Sequence, residues 1–114
     1  MTGVQTCALP IFIENKRSEA ALDIPPSIGR FQQLETLMLD NIVKSIPDAI
    51  SECKMLNFLS LPNNKNLDKL PETIGTMENL TFVNIQNCNS NLRIPESIAE
   101  KFDDIGNGLY FKKD

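Results

Sequence analysis

The side chains in this sequence that could do chemistry are three cysteines, an adjacent carboxylate pair at Asp103-Asp104 and a series of asparagines; there is no histidine. Without histidine there can be no Ser-His-Asp triad, no Cys-His dyad and no histidine-based metal site. Cys53 and Cys88 fall on apolar positions of a repeating pattern, where a thiol is an inert, buried group rather than a nucleophile or metal ligand. Acid–base chemistry needs carboxylates that face one another, which chain neighbours such as Asp103 and Asp104 rarely do, so that pair reads as a solvated turn. Asn63-Asn64-Lys65-Asn66 lacks the alternating acids of a calcium loop. The glycines have no phosphate-binding spacing, and Asn107-Gly108 is a turn signal. The expectation is a protein that is not an enzyme and holds no cofactor and no metal, so that any function must come from a surface.

The composition is that of an ordinary folded protein, with 41% apolar and 23% charged residues over 114 positions. A net charge of −4, with acids and bases mixed along the chain, argues against a nucleic-acid partner, which usually selects a basic stripe. No apolar run is long enough for a membrane-spanning helix, and an odd number of cysteines gives no disulfide framework.

The elements that must present this surface come from repetition. From Ile24 onward the chain repeats an apolar-Pro-x-x-Ile start at Ile24-Pro25, Ile46-Pro47, Leu70-Pro71 and Ile94-Pro95, with proline-to-proline offsets of 22, 24 and 24 residues. After each of the first three starts, apolar residues fall three apart: Ile28, Phe31 and Leu34; Ile50, Cys53 and Leu56; Ile74, Met77 and Leu80. That spacing predicts one apolar stripe on a short helical or 3₁₀ return, with proline suited to its first turn. The alternation then changes to period two around Leu37 and Leu39, Leu59 and Leu61, and Val83 and Ile85, which predicts short half-buried strands. Strands one repeat apart must run parallel, because each crossover supplies the dozen or so residues that a parallel connection needs. Asn41, Asn64 and Asn87 are 23 residues apart and should form a ladder, their amides pairing the backbone of their own turn and of the next. Cys88, beside Asn87, could share that inner position.

A fixed period in the twenties is the mark of stacked repeats. The segments Asn41-Ile42-Val43-Lys44-Ser45-Ile46-Pro47 and Leu56-x-x-Leu59-x-Leu61-x-x-Asn64 resemble the leucine-rich repeat family, and the Leu/Ile-Pro-x-x-Ile start resembles its Ras-scaffold, plant intracellular and bacterial subclass. The resemblance covers about residues 24–111 and implies an α/β fold: a curved solenoid of three to four repeats, with a parallel sheet on its concave side and helical or 3₁₀ crossovers. The sequence departs from a regular repeat in three places. The first loop is one residue short, the second and third each carry an extra residue before the next Leu/Ile-Pro, and the fourth copy stretches both the Ile98–Phe102 and the Ile105–Leu109 spacing to four, with Leu109-Tyr110-Phe111 as its strand.

Met1–Ile11 matches, codon for codon, the translation of a common short-read sequencing adapter read from a GTG start. Residues 1–11 are therefore expected to be a non-native scar and left out of fold reasoning. Residues 12–23 would then be the remnant of an upstream repeat, and 24–114 the truncated solenoid. A cytoplasmic location is the first expectation, with secretion left open because a leader would have been lost with the natural start.

Stacking the strands in register gives three outward columns: Thr36, Phe58 and Phe82; Met38, Ser60, Asn84 and Tyr110; and Asp40, Pro62, Gln86 and Lys112. Phe58 and Phe82 should sit about 5 Å apart on neighbouring strands, as a binding anchor or as a pair that stabilises the sheet. The expected binding face is Thr36, Met38, Asp40, Phe58, Ser60, Phe82, Asn84, Gln86 and Tyr110. The leading expectation is a protein–protein interaction module that takes a protein or peptide there, with no nucleic acid and no membrane. A recognition arm of a larger enzyme or receptor whose active domain is missing, and a structural spacer without a dedicated partner, are the alternatives.

Overall fold

The computed structural model describes residues 9–14 and 21–113. Met1–Ala8, most of the expected scar, lies outside the described residues, as does most of the loop expected between Lys16 and Asp23. The strands are β1 (Leu9–Glu14), β2 (Leu22–Asp23), β3 (Leu34–Asp40), β4 (Val43–Ser45), β5 (Phe58–Ser60), β6 (Phe82–Asn84), β7 (Phe102–Asp104) and β8 (Leu109–Lys112), with one α-helix, α1 (Glu96–Lys101). Six strands form one sheet in the order β1-β3-β5-β6-β8-β7, and β2 and β4 form a small second sheet. The fold is mixed α/β with a mostly parallel sheet.

The proline starts behave alike. Pro25, Pro47, Pro71 and Pro95 are extended N-caps. Their carbonyls accept the N–H of Ile28, Ile50, Ile74 and Ile98 at 3.0, 3.1, 3.1 and 3.0 Å. Three of the returns are 3₁₀ turns, at Pro26–Arg30, Asp48–Glu52 and Glu72–Thr76. The fourth is α1, and the stretched spacing explains the change. Ile98 and Phe102 are four apart, which suits 3.6 residues per turn, and both are buried. Successive returns stack so closely that a Cβ on Gly75 would overlap the Ser97 side chain and come within 2.8 Å of its carbonyl carbon. The Ser97 hydroxyl donates to the Glu72 carbonyl at 3.0 Å across the same junction.

Period two holds in the strands. Leu37, Leu59 and Val83 lie edge to edge in parallel register, flanked by Thr36–Phe58–Phe82 and Met38–Ser60–Asn84. Their side chains join Ile50, Leu56, Leu61, Leu67, Ile74 and Leu80 in one continuous core, each of these at or near zero exposure. At about 1.5–3 kcal/mol for each fully buried aliphatic side chain, this core is the main stabilising term. β1 extends the parallel register, with Phe12 opposite Met38 and Ile13 opposite Leu39. It begins inside the segment expected to be a scar; any β-capable stretch can pair on an open edge.

Two expectations need correction. The asparagine ladder is not formed by Asn41, Asn64 and Asn87. The strand register and the left-handed φ values of 56°, 64° and 57° make Asn41, Asn63 and Asn87 the equivalent set, each closing a strand with a turn conformation that asparagine tolerates. Asn64 occupies the next, inner position and is 2% exposed. Its Oδ1 accepts the N–H of Ile42 and Val43 at 2.7 and 2.9 Å, and its Nδ2 donates to the Leu39 carbonyl at 2.8 Å. Cys88 takes the same place one repeat later, as anticipated, and its thiol donates to the Leu61 carbonyl at 2.9 Å. The seemingly short first loop disappears in this alignment.

The second correction concerns the last strand, which was expected to run parallel. α1 leads directly into β7 at the sheet edge, and the turn at Ile105–Gly108 then brings β8 back between β7 and β6, antiparallel to both. The connection is too short for a parallel crossover. Gly106, Asn107 and Gly108 all have positive φ. Gly108 also lies where a Cβ would stand 2.9 Å from the Gln86 backbone nitrogen, so the turn can close against β6 only there without a side chain. The hairpin covers this end of the core, whereas at the β1 end Phe12, Ile13, Leu22 and Phe31 are exposed.

Asn64→Ala should destabilise the fold by about 3 kcal/mol, since it strands two N–H groups and a carbonyl away from water. Asn87→Gly, at an exposed position whose backbone suits glycine, should cost under about 1 kcal/mol; urea denaturation of the two variants measures the contrast. Gly75→Ala should cost about 1–3 kcal/mol through overpacking against Ser97, and Ser97→Gly in the same chain should recover part of that loss in the denaturation midpoint.

Candidate functional site

The sheet face turned away from the core carries most of the residues singled out for binding. Alternation along β3, β5 and β6 puts Thr36, Phe58 and Phe82 in one row across the strands. The Phe58 and Phe82 rings stack, with centroids 4.6 Å apart and planes at 26°. In the antiparallel register of β8, Phe111 rather than Tyr110 continues this row: Phe111 is opposite Phe82, and the two rings lie 4.7 Å apart at 52°. Three aromatic rings thus run side by side across β5, β6 and β8, and Phe111 is 46% exposed.

The antiparallel strand removes Tyr110 from the face. Tyr110 is opposite Val83, packs against the core, and has its hydroxyl pKa raised by burial first and by the charge of Asp104 second. Lys112 leaves the third column for the same reason; its Nζ donates to the Glu78 carbonyl. Two further members of the expected face are taken up internally. Ser60 is 2% exposed and its hydroxyl accepts from Asn84 Nδ2 at 3.1 Å, while Asn84 Oδ1 caps the Gln86 N–H at 2.8 Å. Thr36, Met38, Asp40 and Gln86 remain on the face, half-buried. Asp40 accepts from Asn63 Nδ2 at 2.8 Å, which fixes its carboxylate at the strand end.

Sequence reasoning missed Phe111 and Phe12. The alternation that placed Tyr110 outward would have placed Phe111 there had an antiparallel return been considered, and the Gly106-Asn107-Gly108 turn was the available signal. Phe12 is opposite Met38 and 63% exposed. Together with Ile13, Glu14, Met38, Asp40 and Pro62 it lines an open groove of about 360 Å³ at the β1 side of the sheet, which none of the three rings lines.

The two described thiols are not part of this face. Cys53 is fully buried and donates to the Ile28 carbonyl at 3.1 Å; burial, with a smaller contribution from Glu52, raises its pKa. Cys88 is raised by burial, against smaller opposing effects of the Asn64 backbone N–H and Lys65. A raised thiol stabilises the fold at pH values below its unfolded pKa, and that contribution is lost as pH rises through the folded value. In a Cys7→Ser background, Cys53 should resist iodoacetamide at pH 8 until the chain is unfolded, with Cys88 reacting more slowly than a free thiol; mass spectrometry of the time course reads both. Stability should fall as pH rises above the ordinary thiol range, more in the parent than in Cys53→Ala.

Compared with protein-family models, curated proteins and solved structures, the chain matches none.

Proposed function

We propose that this chain is a short leucine-rich-repeat-type solenoid that acts as a protein–protein interaction module, taking a protein or peptide on the concave face of its sheet. The observation that carries this reading is the row of Phe58, Phe82 and Phe111 on the side of the sheet away from the core. Exposed contiguous apolar surface is costly to maintain, and aromatic side chains dominate binding energy at protein interfaces. The returns stack their backbones and the strands are in register, so the face is held rigid before a ligand arrives and little ordering entropy remains to be lost. The repeat period, the inner Asn64 and the shared proline caps support the family reading.

Cross-strand aromatic pairs also stabilise sheets, by about 0.5–1.5 kcal/mol, and the test must separate the two roles. Peptides selected from a random display library against the parent chain supply the ligand. Phe58→Ala with Phe82→Ala should weaken their binding by about 30-fold or more while the chain stays folded by circular dichroism. Lys44→Ala, on an exposed position of β4 away from the aromatic row, should leave affinity unchanged. Equal affinity for the parent and the folded double variant would remove the concave face as the binding site.

A further inference from the structure

We propose that the Asn107–Gly108 peptide is a site of spontaneous chemical modification: the Asn107 amide is lost as ammonia, and the product loosens the β7–β8 hairpin. Asparagine is a thermolabile residue, and the residue that follows it sets how labile. The main-chain nitrogen of that next residue attacks the side-chain carbonyl carbon, so it must be open to approach and not held in a hydrogen bond. Asn107 is the one asparagine of this chain followed by glycine. It is exposed, and among the described residues neither its side-chain amide nor the Gly108 N–H makes a hydrogen bond. The turn around them is closed by the Leu109 N–H, which donates to the Gly106 carbonyl at 3.1 Å. Glycine on either side of Asn107 puts no Cβ in the path of the attack. The other asparagines at strand ends are protected. The N–H that follows Asn41, that of Ile42, donates to Asn64 Oδ1 at 2.7 Å, and Asn87 Nδ2 donates to Asn63 Oδ1 at 2.7 Å.

In the reaction the Gly108 nitrogen gives up its proton and forms a bond to Asn107 Cγ. The Cγ–Nδ2 bond breaks, and ammonia leaves with that proton. Water then opens the cyclic imide that remains. Cleavage on the Cγ side gives aspartate with the main chain unchanged. Cleavage on the α-carbonyl side gives isoaspartate, whose main chain runs through Cβ and is one methylene longer. Either product makes the chain one unit more negative than its net −4. The longer main chain falls where the fold has little slack. The Gly108 carbonyl accepts the Ile85 N–H at 2.8 Å, and a Cβ on Gly108 would already stand 2.9 Å from the Gln86 nitrogen. An extra methylene sets that contact against the hairpin pairing, in which the Ile105 N–H donates to the Leu109 carbonyl at 3.0 Å. The strand that yields is β8, and Phe111 moves with it. This chemistry does not depend on any ligand.

The test is to hold the full chain at physiological temperature in mildly alkaline buffer and follow its tryptic peptides by mass spectrometry. The peptide Phe102–Lys112 contains a single asparagine, so amide loss there is loss from Asn107. It should lose its amide before any other peptide of the folded chain, and isoaspartyl methyltransferase should label it. Asn107→Gly suits the positive φ of this position and should abolish the labelling of that peptide. The aged parent should unfold at lower urea than the fresh parent, and the aged Asn107→Gly chain at the same urea as when fresh. The site would be overturned by a Phe102–Lys112 peptide that reacts only after other asparagines. It would equally be overturned if that peptide stayed intact in the folded chain over the time in which the urea-unfolded chain converts. Conversion with an unchanged urea midpoint would overturn the effect on the hairpin.

Discussion

The interaction on which the rest depends is the pairing of each turn's backbone with its neighbour. A turn pressed between two others is cut off from water, and its N–H and C=O groups must find partners inside the protein. Asn64 meets that need between the first and second turns with one side chain, accepting two N–H groups and donating to a carbonyl from a residue that is itself 2% exposed. Cys88 does a smaller version of the same work one turn later, with a single bond to Leu61. These contacts fix how far apart the turns sit. The register of the paired strands decides which side chains share a row on the outer face.

The two ends of the structure solve different problems. At one end α1 and the β7–β8 hairpin fold over the core, and the antiparallel return of β8 occupies the edge of β6. At the other, β1 continues the parallel pairing while Ile13, Leu22 and Phe31 stay exposed, beside an almost wholly apolar cavity of about 180 Å³ between β1, β3 and the Pro26–Arg30 turn. The aromatic row lies toward the covered end. Its third ring, Phe111, is supplied by the closing hairpin itself, so the element that shields the core also completes the outer surface.

Much of this was legible in the chain. Side-chain periodicity is local and repeats, so the 3₁₀ turns, the three central strands, their parallel order and the Leu37–Leu59–Val83 register all follow from spacing. The Phe58–Phe82 pair follows in turn, because residues at equivalent positions of registered strands must be neighbours. The asparagines were harder. Adjacent Asn63 and Asn64 are the same residue type in opposite roles, one in a left-handed turn and one inward as a bridge, and counting alone selected the wrong one of the two.

What only the tertiary structure decided is the direction of the final strand and everything that depends on it. Alternation shows that Leu109, Tyr110 and Phe111 occupy two faces, but not which face is which, because slipping the strand's register by one residue exchanges them. The choice was made by α1 delivering the chain to the sheet edge and by a turn too short for anything but a hairpin. Local spacing thus determined the repeating unit, and non-local packing at its end determined which aromatic ring joins the outer face and which one is turned toward the core.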